Sequence, residues 1–398
     1  MDKVAARNAT RQVLLTSVGG LALIAGLAFT ARTYQLTRRG QITDRYNKGI
    51  ALLASEKITE RLGGIYALEH VMLESEDEHE TIVAVLSAFI RDSVPVHDGG
   101  DEVDMTQEPT ERPEDQGRRL RSVGLATDVQ AALTVLGRRP ERFENYRLDL
   151  CATDLRGARM ADARWDEALF AGSLLTGADL RGASLRGCEL RDAFLDGAIL
   201  EKADLGNAYL AGASLVDVHG PEANFSNTIL RFASLADAAL WEAKFSSASM
   251  LKCNLENANL TGADFSSADL SSANLNRTLL AGAIFSNARL GNASLAGANF
   301  IEWDEDPPLH ASGLTPDQLV HVQLDDIGDI SEDLLREARQ RRPIILAEQE
   351  AEARRVLGDA GYEQFVASVE AMATQTPTSA GPDHATDGDG KEAQRRKD

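Results

Sequence analysis

The feature that most constrains this chain is a five-residue period that keeps one register from residue 148 to residue 302. Every position divisible by five from Leu150 to Phe300 belongs to one column, and its 31 members are 21 Leu, six Phe, two Met, Trp165 and Gly220. Two residues earlier in each unit runs a second column, from Leu148 to Ala298, with 23 Ala and with Cys188 and Cys253 among the rest. A straight α-helix cannot use this period, because five residues advance ~140° past a full turn and scatter the leucines around every side. A flat strand fails too, since an odd period throws alternate leucines to opposite faces. The pattern suits a chain that runs extended for a few residues, turns a corner and repeats, its backbone groups pairing with the coils above and below. Phe225, Phe245, Phe265 and Phe285 recur every 20 residues, so four units close one coil and these rings form one stack. The repeats then make almost eight coils, a rod of ~37 Å at ~4.8 Å per coil.

These 31 units closely resemble the pentapeptide-repeat family, and the resemblance implies a right-handed quadrilateral β-helix, a solenoid with no catalytic residues of its own. Residues 40 to 140 are similar to the helical region of membrane-anchored bacterial pentapeptide-repeat proteins, on the stretches Gly40-Gln41-Ile42-Thr43-Asp44-Arg45, Arg61-Leu62-Gly63-Gly64-Ile65-Tyr66-Ala67-Leu68-Glu69 and Asp128-Val129-Gln130-Ala131-Ala132-Leu133.

Around the repeats the reading is as follows. After a short tail at 1–12, residues 13–31 are 19 positions without a charge, which as a helix reach ~28 Å and predict a transmembrane anchor. A cleaved signal peptide is the competing reading. Five cations after the span against three before it place the body in the cytoplasm. Residues 40–92 read as a helical region with helices at 46–55, 58–73 and 81–91, the last capped by Thr81, and with Leu62, Ile65, Leu68 and Met72 on one face. An acidic linker at 93–122 follows, then a capping helix within 123–147 opened by Thr127. Beyond the repeats, Trp303, Pro307 and Pro308 stop the ladder, and Thr315-Pro316-Asp317-Gln318 reads as a capping box. A C-terminal helical region runs to 373 and offers a surface for self-association; 374–398 has the composition of a disordered tail.

Function has to be read from surfaces. There is no Walker, dinucleotide-binding or nucleophile-elbow motif, and the seven histidines and three cysteines show no metal-ligand spacing. No catalytic, cofactor-binding or metal-binding residue is expected, and the chain does not read as an enzyme. The acidic knot Asp77-Glu78-His79-Glu80 reads as a solvated loop, because successive residues on a regular element cannot converge on one ion. The interruption Val218-His219-Gly220-Pro221 reads as a bent or widened corner.

With 41 Lys plus Arg against 62 Asp plus Glu, a net charge of -21, direct nucleic-acid binding is not expected. The reading is an anchored scaffold for an unknown protein partner. The alternative is a DNA mimic that binds a topoisomerase such as gyrase. Against it, residues 147 to 300 carry 13 bases and 18 acids, whereas a duplex ~37 Å long shows about 22 charges at one per ~1.7 Å. Arg181, Arg186 and Arg191, long side chains able to make bidentate contacts, are the candidate partner-binding residues.

Overall fold

The computed structural model describes residues 2–96, 125–302, 309–319, 322 and 333–343, with single positions between 347 and 366. The five-residue period becomes a four-sided coil. Each outward residue before a core leucine bridges, in parallel, to the residue 20 positions on, from Asp149↔Leu169 to Leu279↔Asn299. One side contributes one bridging residue between two corners, so the β structure is a ladder of single bridges and not of long strands. Every member of the Leu/Phe column is buried, and the second column faces inward beside it. Phe225, Phe245, Phe265 and Phe285 stack with centroids 5.0, 5.1 and 5.2 Å apart, as the 20-residue spacing predicts.

The corners explain how so tight a coil closes. The second residue of every corner, from 152 to 297, has φ between 51° and 72°, and the chain closes there with i to i+3 hydrogen bonds such as Ala158 N to Leu155 O at 3.0 Å. That is the demand of a type II turn. Of the 30 corners, ten use Gly and nine use Asn or Asp, the residues that tolerate this conformation. The first corner residue keeps its N–H out of the ladder. Side chains satisfy it instead, as where Asp179 accepts from Arg181 N and Asp264 from Ser266 N. Polar residues in the inward small column are satisfied locally: Thr153, Ser173, Thr228 and Thr278 donate their hydroxyls to the carbonyl three residues back, at 2.6 to 2.7 Å. Cys188 and Cys253 are free and buried, and burial pushes both thiols far above the ordinary range.

The interruption at Gly220 neither bends nor widens the coil. His219 keeps both bridges, to Ile199 and Ala239, and Pro221 occupies a first corner position, where no ladder donor is lost. A Cβ at Gly220 would meet Leu200 and Leu240 at 3.1 to 3.2 Å, so neighbouring leucines have closed the space.

Both ends of the ladder are covered. Helices α1 (Asp2–Leu53), α2 (Ile58–Glu74), α3 (His79–Ser93) and α4 (Thr127–Gly137) precede it. Residues 94–96 pair with the first coil through Val96 N to Ala152 O and Asp154 N to Val94 O, each 2.8 Å. The Gln130 amide from α4 donates to Arg159 O at 2.8 Å and accepts from Arg159 N at 2.9 Å, taking the place of a peptide group. Gly137 O takes the next side from Arg164 N, 2.8 Å; Gly137 cannot be larger, because a Cβ there would lie 2.7 Å from that of Ala163. At the far end, β1 (Ile301–Glu302) and β2 (Leu309–His310) form a small hairpin. Ser312 then supplies the next bridge, to Ile284. The capping box is present at α5 (Pro316–Leu319): Gln318 Oε1 accepts from Thr315 N and Oγ1, and its Nε2 donates to Phe285 O and Ala288 O, 2.9 Å each. Residues 333–343 are helical. Trp303, Pro307, Pro308, most of the acidic linker, much of 344–373 and the tail at 374–398 lie outside the described residues.

Several expectations for the N-terminal third are corrected. Helix 46–55 is not separate: its residues to Leu53 are the last turns of α1, which runs 52 residues without interruption. The expected transmembrane anchor at 13–31, and with it the single-pass membrane location with a cytoplasmic body, is overturned, because among the described residues no helix is long and apolar enough to cross a membrane. Positions 13–16, 18, 19 and 22 lie outside the described side chains. From Leu21 to Leu36 the large apolar residues of α1 are exposed by 62 to 73%. Neither Thr81 nor Thr127 caps a helix: α3 begins at His79 and α4 at Thr127 itself, each without a side-chain cap. Nor is the acidic knot fully solvated. His79 is buried with its Nε2 3.0 Å from Glu144 Oε1, and Glu80 accepts from the backbone N–H groups of Asn145 and Tyr146.

Candidate interaction surface

Leucine, phenylalanine and alanine fill the coil, so chemistry is left to the outside: four sides and four edges. Side one carries the bridging residues 149, 169, 189, 209 and 229 onward, side two 154, 174 and 194 onward, side three 159 and 179 onward, side four 164, 184 and 204 onward. Residues five apart stand on successive edges, which decides how the candidate arginines lie. Arg181 occupies the edge between sides three and four, Arg186 the next, and Arg191 the edge between sides one and two. They ring one coil and do not share a face. Each holds a carboxylate: Arg181 folds back on Asp179 (2.6 Å), Arg191 on Glu189 (2.5 Å), and Arg186 reaches Asp204 one coil on (3.1 Å). The Arg181 guanidinium, with its backbone N–H, holds the Asp179 carboxyl below its ordinary value.

What the repeat pattern left unread is a patch on the edge between sides one and two. Phe194 on side two, Tyr209 on side one and Phe232 at the corner are exposed by 46, 44 and 58%. Half-buried Leu169, Ile229, Leu174 and Leu251 surround them. Farther along, the same columns turn polar, with Ser249, Asp269, Asn254, Ser272 and Asn292. The signal was present: sorting outward residues by a period of 20 brings these apolar side chains to one edge, where a period of five calls them arbitrary. A smaller aromatic contact joins His219 edge-on to Trp241, 5.2 Å away on the next coil. Among the described residues no group of three or more His, Cys, Asp or Glu could hold a metal ion.

A coil of five-residue units with an interior filled by Leu, Phe and Ala, ladder-bonded every 20 residues and decorated outward, defines a solenoid of the β-helix class. The family model for pentapeptide repeats matches it in eight copies between residues 153 and 302. Residues 153–302 are thus a pentapeptide-repeat segment. Similar solved structures include HetL, a pentapeptide-repeat protein involved in heterocyst differentiation regulation from the cyanobacterium Nostoc sp. strain PCC 7120. It is 27% identical over 38% of this chain and 80% of its own, with a TM-score of 0.23. QnrB1, a plasmid-mediated fluoroquinolone resistance protein, is 17% identical over 49% of this chain and 97% of its own, TM-score 0.31. A pentapeptide-repeat protein of the Arabidopsis thaliana thylakoid lumen is 29% identical over 25% and 63%, TM-score 0.13. Likenesses at these scores carry no argument about function. No curated protein matches the chain.

Proposed function

We propose that this chain is a non-enzymatic scaffold that binds a protein partner on the outside of its β-helix. The observation that carries the reading is the exposed apolar edge at Phe194, Tyr209 and Phe232, three aromatics on successive coils, on a surface that elsewhere is mostly polar or charged apart from Leu279 and Ile284. Clustered exposed apolar side chains with a polar rim mark interaction sites. A filled interior favours a surface role over catalysis, since reacting groups on such a coil have no cleft to remove them from water. The alternative, imitation of duplex DNA for a topoisomerase, has less support: bases and acids are interspersed and paired, as in Arg156–Asp154 and Arg277–Glu256. Of the three arginines only Arg191 borders the apolar edge; Arg181 and Arg186 would contact a partner that wraps the coil.

The test is capture from an extract of the native host by the immobilised full chain. A discrete protein that is retained, and lost on Phe194→Ser with Tyr209→Ser at unchanged Tm, supports the reading. Retention undiminished by the pair overturns it. Single replacement of the arginines by Ser should weaken capture at Arg191 alone.

A further inference from the structure

Phe232 is unlike every other corner residue. It is the one aromatic among the 30 corner positions at positive φ, with φ 62°, a conformation that bulky L side chains rarely adopt. Its side chain is nonetheless 58% exposed.

Two of the coil's unpaired cations stand beside it, while Arg159, Lys244 and Arg289 stand without an ion pair elsewhere on the coil among the described residues. Arg181, Arg186 and Arg191 are each held by a carboxylate, whereas Arg231, exposed on the same edge, has no ion-pair partner among the described residues. Lys252, one coil on, places its ammonium 5.7 Å from the centre of the Phe232 ring. Toward the other end of the patch lie Tyr209 and Phe194, and there the charge changes sign, with Asp192 at the corner and Glu189 on side one. Arg191 to Lys252 spans three coils, ~14 Å, the length of about four extended residues.

We propose that the edge from Arg191 to Lys252 is the docking site for an acidic peptide segment of a protein partner, with one or two large apolar side chains next to its carboxylates. This rests on the scaffold reading and adds the chemistry of the partner. The arrangement gives the segment a direction. Its carboxylates meet Arg231 and Lys252, where no acid of this chain competes, and its apolar side chains lie on Phe232, Tyr209 and Phe194. A continuous polyanion such as single-stranded nucleic acid fits poorly, because beyond these two cations it meets Asp192 and Glu189 in a repeat region whose 18 acids outnumber its 13 bases.

The experiment pans a library of random 12-residue peptides, displayed on phage, against the full chain, then measures a synthetic copy of the enriched sequence by calorimetry. Enriched peptides should combine Asp or Glu with Phe, Leu or Trp, and binding should weaken as salt rises. Phe232→Asn should lower affinity at least tenfold while Tm holds or rises, because Asn suits this backbone. Arg231→Glu should cost at least tenfold, and Asn292→Ala, on the same edge farther along, should change nothing. Binding that survives both Phe232→Asn and Arg231→Glu places the docking face elsewhere and overturns this inference while leaving the scaffold reading. So does a failure to enrich any peptide, since capture of a folded partner is tested separately. Competition by oligo(dT) at equal concentration would also overturn it, in favour of a nucleic-acid ligand.

Discussion

The β-helix and the helical region before it are both well buried, yet they are held in different ways. In the coil, residue 265 meets 245 and 285 because each is 20 positions from the next, and the same arithmetic places every side chain in or out. In the helical region, the partners obey no period. Arg138 forks onto Glu69 of α2, Arg61 of α2 reaches buried Asp128 of α4, and Arg142 donates to the carbonyls of Met72, Leu73 and Ser75 at the end of α2. Gly64 brings α2 onto α1 so closely that a Cβ would lie 2.7 Å from Gly49 O. The lesson is that repetition makes contacts local in pattern though distant in sequence, while a helix bundle specifies each contact singly.

The sharpest way to break this comparison is at the phenylalanine stack. Phe265→Ala should destabilise the chain by about 4 kcal/mol in urea unfolding, because it empties a buried ring site between two stacked neighbours. A loss under about 1 kcal/mol would mean the coil tolerates gaps as its surface does. Next in size is the junction of the two regions. Glu144 accepts from Arg139 Nε at 2.8 Å, and Arg139 is itself buried. Burial alone would raise the Glu144 carboxyl, but Arg139 and His79 hold it below its ordinary 4.5. Glu144→Ala strands the guanidinium and should cost about 3 kcal/mol. A depressed carboxylate stabilises the fold above its unfolded pKa and loses that contribution as pH falls through the folded value. Acid titration below about pH 4.5 should therefore loosen the native chain more steeply than Glu144→Gln.

Smaller effects separate corner from core. Asn227→Ala, at φ 60°, should cost about 1 kcal/mol, because Ala pays the left-handed penalty that Asn relieves. Ser266→Ala, outward on the coil beside buried Phe265, should cost under about 0.5 kcal/mol. Equal losses at 265 and 266 would remove the inward assignment altogether.

How much of this was legible follows from the same contrast. Five-residue spacing exposed the core columns, the four sides and the phenylalanine stack, and Thr315 to Gln318 announced its cap by residue type alone. The corner at Gly220 misled, because the rule that proline weakens a strand assumes its N–H belongs to the ladder, and at residue 221 it does not. Around His79 a charged string looked solvated because its partner, Glu144, lies 65 residues away and nothing local signals it. The arginine trio was chosen by type and nearness in sequence, yet a step of five carries each to a new edge. Phe194, Tyr209 and Phe232 escaped notice because the unit leaves their positions unspecified.

The two glutamines, Gln130 and Gln318, have a consequence for how copies of this protein can meet. An open coil end is a template on which another chain can add β structure, as in fibril growth. A side-chain amide satisfies that end with the same donor or acceptor a peptide group would offer, but behind it lies a helix and, among the described residues, no further rung. Growth along the axis is thus terminated at both ends by the chain's own residues. The number of rungs is set by the gene and not by concentration, and association between copies is left to the flanks.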